Sequence, residues 1–144
     1  MAADDNTWMS LASHGARLRA PPGWKTTADG TELRAEPPDG QAVLVLDAAA
    51  TKPELEAKMR ALGARYKLDR VDFQKPRPAN LNGIPVLIFE DMAAESKGAP
   101  VDVFVMLGRA PKGNGIVLVF LYAADATQKH DLELIAAANT LRPM

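Results

Sequence analysis

The chain has 144 residues, 47% of them hydrophobic and 24% charged, with a formal net charge of -1 and a pI near 6.1. That suits one ordinary domain with a core of its own, and the lack of a basic excess argues against a general nucleic-acid or anionic-membrane binder. Cysteine is absent, which excludes disulfides, thiolate metal sites and cysteine nucleophiles, and no stretch approaches the ~20 apolar residues of a membrane helix.

Residues 1–12 read as a loose lead-in and 13–144 as a single domain. The opening "MAADDNTW" has no signal-peptide pattern. Its small and acidic residues fit an exported mature terminus behind a lone Met. That reading puts the protein in the periplasm or cell envelope if an upstream leader was removed, and otherwise in the cytoplasm. From Ser13 to Ala20, Ala16, Leu18 and Ala20 alternate with Arg17 and Arg19, the period of a half-buried strand. Pro21-Pro22-Gly23 ends it, because proline lacks the ladder donor and glycine permits a turn. "TELRAE", 31–36, is a second strand. "PPDG", 37–40, is a turn, and "QAVLVLD", 41–47, closes a hairpin.

The clearest helix follows. Thr51 and Glu54 have capping-box spacing, with Pro53 in the first turn. Leu55, Met59, Leu62 and Tyr66 then fall on one face, and Glu56, Lys58, Arg60 and Arg65 on the other. In "VDFQKPRPANLNGIP", 71–85, an edge strand near Val71 to Lys75 leads to a turn at 80–83. "PVLIFEDMAAE", 85–95, and "VDVFVMLGR", 101–109, are long strands separated by the turn "SKGAP". After "PKGNG", the run "IVLVFLYAA", 116–124, is apolar on both faces, as a central strand covered on both sides should be. Asp125 and Gln128 cap a last helix, about 126–138, expected to turn Leu132, Ile135 and Ala136 inward. The order β-β-β-α-β-β-β-β-α, with tight turns between strands, predicts an α+β domain: a curved antiparallel sheet of about six or seven strands flanked by two helices.

Chemistry-bearing groups are sparse. His14 and His130, the two histidines, each lack a close second ligand, so no metal site is expected. Glu90-Asp91 is the one adjacent acidic pair in a predicted strand, and strand neighbours point to opposite faces. Asp102, on the next strand, is the group that could approach Glu90 or Asp91. Ser10, Ser13 and Ser96 lie outside any nucleophile elbow. "KGNG" lacks the spacing of a phosphate loop and reads as a hairpin turn. Arg17, Arg19, Lys25 and Arg34 in the first strands, and Arg65 to Arg77 after the first helix, read as solvated surface. Trp24 reads as closing one end of the sheet with its indole N–H bonded to a carbonyl.

The segments "ARLRAPPGWK" and "LRAEPPDGQAVLVLD" resemble the opening of PsbP-like domains, and "NGIPVLIFED", two long strands and a closing helix continue the likeness over about 13–142. The resemblance implies protein binding rather than catalysis, with Trp24 marking the fold. The expected function is that of a non-catalytic protein-binding or accessory protein without cofactor or metal. Its partner is a protein or peptide, with no nucleic acid and no integral membrane segment. Candidate contacts are Trp24 and the strand residues Phe89, Phe104 and Met106, whose alternative is simply core. One competing reading is a cytosolic chaperone holding an apolar segment of a secreted effector. Another is an enzyme using Glu90 or Asp102.

Overall fold

The computed structural model describes residues 8–11, 15–21, 23–29, 32–40, 42–48, 52–65, 68–72, 76–96, 99–109, 115–123 and 127–143. Along the chain these form β1 (Trp8–Leu11), β2 (Ala16–Arg19), β3 (Lys25–Asp29), β4 (Glu32–Glu36), β5 (Ala42–Ala48) and α1 (Lys52–Arg65). There follow β6 (Leu68–Asp72), β7 (Arg77–Leu81), β8 (Ile84–Ser96), β9 (Ala99–Arg109), β10 (Gly115–Ala123), α2 (Thr127–Ala138) and β11 (Arg142–Pro143). The main sheet has eight strands in the order β3-β4-β5-β10-β9-β8-β6, with β7 also on β8; a small sheet runs β1-β2-β11. Every pairing among the described residues is antiparallel. The expected α+β architecture with two helices is the one observed.

The central strands explain why a helix lies over each face. All side chains of β5 from Ala42 to Asp47 are buried, as are those of β10 from Ile116 to Leu121. Successive strand residues point to opposite faces. Leu44, Leu46, Ile116, Leu118 and Phe120 therefore join one core, with Leu18 of β2, Leu134 of α2 and Leu141. Val43, Val45, Val117, Val119 and Leu121 join another, with Met59 of α1. Burying each such side chain contributes about 1.5–3 kcal/mol before the entropy of ordering it is subtracted. Gly108 of β9 lies between Val86 and Ile116 in register, and a Cβ there would stand 3.2 Å from Val86 Cγ1 and 3.3 Å from Ile116 Cγ1.

The turns follow their residues. Gly40, at φ 70°, donates its N–H to Pro37 O, closing "PPDG" between β4 and β5. Asn82 and Gly83, at φ 53° and 95°, make the two-residue β7–β8 turn of positive φ that Asn-Gly favours. In β8 the register to β9 shifts between Phe89 and Met92, so Glu90 and Asp91 face one partner residue across a bulge. Such a bulge bends its strand, and β8 passes its outer edge from β7 to β6 on either side of it.

Four expectations need correction. Residues 1–12 are not all lead-in: Met9 and Leu11 alternate with Trp8 and Ser10 in β1, and both are buried. β3 and β7 are strands that no buried alternation announces. Lys25 to Ala28 are exposed, and β7 holds Pro78, which an edge position tolerates. The α2 face is rotated. Leu132 is 75% and Ile135 50% exposed, while Leu134, Ala137 and Ala138 are buried, because small alanines let the helix lie close on the sheet. The capping residues Thr51 and Asp125, His14 and the turn 111–114 lie outside the described residues.

Candidate functional site

The Pro-Pro-Gly-Trp step is a turn: Trp24 N–H donates to Pro21 O at 3.2 Å, and Gly23 holds φ 83°. The turn delivers the indole into the first core, where Trp24 is 7% exposed. Its Nε1–H donates to Glu133 Oε2 of α2 at 3.1 Å. A carboxylate, in place of the expected carbonyl, thus ties the turn to the helix, and a charged acceptor strengthens the bond. Nearby, Thr140 Oγ1 accepts Arg19 N–H at 2.7 Å and donates to Ala137 O at 2.6 Å. Asn82 Nδ2 donates to Leu141 O at 2.8 Å. The end of α2 is therefore fixed to β2 and to the β7–β8 turn.

The other expected contact residues are not gathered into one surface. Met106 is 2% exposed in the first core. Phe104 is half-buried on the same side and stacks on Phe120, its register partner, with ring centroids 5.3 Å apart and planes 17° apart. Phe89 is half-buried on the opposite face, against the second core. Of the carboxylates, Asp102 is half-buried and sits in register with Ala93, whereas Glu90 and Asp91 lie at the bulge, opposite Phe104. His130 lies in the first turn of α2. Among the described residues, no three His, Asp or Glu side chains are grouped to hold a metal ion, and no helix is long and apolar enough to cross a membrane.

Two surface features and one buried pair escaped the sequence. The first feature is the exposed side of α2, where Leu132, Ile135 and Ala136 stand at i, i+3 and i+4. The second is on the outer face of the small sheet. There the guanidinium carbon of Arg17 lies 4.2 Å from the centroid of the Trp8 ring, with those of Arg142 and Arg19 at 5.6 Å and 5.9 Å. Asp47, 2% exposed, accepts Lys58 Nζ at 2.6 Å and Ala48 N–H at 2.7 Å. This pair joins β5 to α1, and the Lys58 side chain, 37% exposed, keeps one side in water.

No family description and no curated protein matches the sequence. Solved structures do match in shape. The cyanobacterial PsbP protein (CyanoP) of Synechocystis sp. PCC 6803 is similar at 11% identity and TM-score 0.66, over 95% of this chain and 91% of that one. PA94, a Pseudomonas aeruginosa protein of unknown function, is similar at 15% identity and TM-score 0.52, over 96% of both chains. A Bacteroides thetaiotaomicron protein is similar at 12% identity and TM-score 0.57; this chain spans 90% of itself and 45% of that protein in the match. The expected likeness is thus one of architecture: the chain has a PsbP-like fold.

Proposed function

We propose that this protein is a non-catalytic accessory protein that docks an apolar segment of another polypeptide on the exposed side of α2. The observation that carries this is the pair Leu132 and Ile135, 75% and 50% exposed and one helical turn apart on a helix that is otherwise anchored. An apolar i, i+3, i+4 stripe is the complement of an amphipathic helix or an apolar strand. Trp24, through Glu133, holds α2 in place from below. Met106 belongs to the same core as Leu134 of α2, with Phe104 packed against it, and Phe89 packs against the core on the other face of the sheet. The non-catalytic half extends the sequence reading, in which no serine lies in a nucleophile elbow and no phosphate-loop spacing occurs. An envelope location extends it on the sequence reading alone, and fractionation of cells expressing the protein from its own locus tests that part.

The docking test is site-specific photocrosslinking in the native cell, with the crosslinker at position 135 and a control at exposed Glu56 on α1. The proposal predicts one discrete adduct at 135 that disappears with Leu132→Asp. No adduct, or the same adducts from position 56, would contradict it.

A further inference from the structure

The outer face of the small sheet collects three arginines around one aromatic ring. Trp8 faces Arg19 directly across the β1–β2 ladder, and Arg17 lies diagonally from it, opposite Ser10. Arg142 sits directly opposite Arg17 on the other side of β2. Neighbouring strands place such partners about 5 Å apart, where like charges disfavour one another. The Trp8 ring offsets this in part by offering its negative face to the guanidinium groups. It does not supply a counter-charge. Neither Arg17 nor Arg142 is paired with a carboxylate among the described residues, and Arg17 Nε is buried there without a hydrogen-bond partner. Arg142 Nε donates to Thr140 O, which orients the group. The whole chain carries a formal net charge of -1, so the cluster is local rather than the outcome of a basic composition.

From this geometry we infer that the Trp8–Arg17–Arg142 face binds an extended acidic segment of a partner polypeptide. The terminal nitrogens of a guanidinium group are suited to two-pronged contact with a carboxylate, and Arg142, whose Nε is taken by Thr140 O, is exposed. Carboxylates two residues apart on an extended chain stand roughly 6.6 Å apart, within side-chain reach of Arg17 and Arg142, which face each other on neighbouring strands. A membrane surface fits less well. The Trp8 ring is half-buried under guanidinium groups rather than projecting as an interfacial anchor, and basic lipid-binding clusters are larger, about 4–8 residues. The inference rests on the protein-binding reading given above and names the partner's chemistry at a second surface. A missing adduct at position 135 would leave this surface standing, and failure of the peptide to bind would leave α2 standing.

Fluorescence anisotropy of a labelled ten-residue peptide of alternating Glu and Val, against the intact protein, tests it. The Gln–Val peptide, phosphatidylglycerol vesicles and a single-stranded oligonucleotide are the comparison ligands. The Glu–Val peptide should bind and the Gln–Val peptide should not, and affinity should fall as salt rises from 50 to 200 mM, about the range over which surface charge is screened. Arg17→Gln with Arg142→Gln should weaken binding about tenfold or more, as loss of charged bidentate contacts implies. Arg17→Lys, which keeps the charge but not the planar fork, should weaken it several-fold while leaving the circular dichroism spectrum intact. Lys25→Gln with Arg60→Gln, an equal charge change elsewhere on the surface, should leave it unchanged. Equal binding of the Gln–Val peptide, an equal loss in the Lys25/Arg60 variant, binding of vesicles or oligonucleotide in place of the peptide, or no binding at all would each overturn the inference.

Discussion

The two tryptophans occupy opposite kinds of surroundings. Trp24 is 7% exposed, its indole N–H is satisfied by Glu133, and its ring lies among aliphatic side chains. Trp8 is half-buried on the outer face of a small sheet, and its ring gathers the guanidinium groups of Arg17, Arg19 and Arg142. The first has spent its polar and apolar surface on the protein itself. The second lies at the surface with its ring against cationic side chains. The same residue type is thus a core element in one place and a support for surface charge in the other, and its neighbours decide which.

The largest effect that would sharpen this contrast is Trp24→Ala, which should cost about 3–5 kcal/mol of stability in chemical denaturation, as expected when a buried aromatic leaves a cavity. Next is Asp47→Asn. It removes the charge that pairs with Lys58 while keeping an acceptor for Ala48 N–H, and about 1–3 kcal/mol should be lost. A loss below that range would mean that the half-exposed Lys58 finds equal solvation in water. Glu133→Gln leaves Trp24 a neutral acceptor, so a loss of about 0.5–1.5 kcal/mol is expected by the same measurement. Trp8→Ala should cost no more than about 1 kcal/mol, the scale of exposed cation–π contacts; a cost near that of Trp24→Ala would erase the contrast. Smallest of all, Leu132→Asp and Ile135→Asp should each change the unfolding free energy by about 0.5 kcal/mol or less, because both side chains are in solvent.

Residue pattern made some of this legible and not the rest. β5 and β10 announced themselves, because strands covered on both faces are continuous apolar runs. "PPDG" and Asn82-Gly83 announced their turns, since positive φ selects glycine and asparagine. β3 and β7 did not, because an edge strand with exposed threonines or a proline leaves no alternation to read. The inward face of α2 was misjudged because its contact with the sheet uses Ala137 and Ala138 beside Leu134, not the bulkier Leu132 and Ile135. Helical spacing alone fits either stripe. Trp24 was recognisable from the turn that precedes it. The Trp8 cluster was not, because residues 8, 17, 19 and 142 meet only when β11 returns to β2. Phe89, Phe104 and Met106 were legible as apolar strand positions. Which sheet face each would join depended on registers that no single strand encodes.

The most direct measurement is acrylamide quenching of two single-tryptophan proteins, Trp8→Phe and Trp24→Phe. The protein that retains Trp24 should emit at short wavelength, resist quenching, and shift strongly on unfolding. The one that retains Trp8 should emit at longer wavelength, be quenched readily, and shift little. Equal accessibility of the two indoles, or a more shielded Trp8, would contradict the division of labour between them.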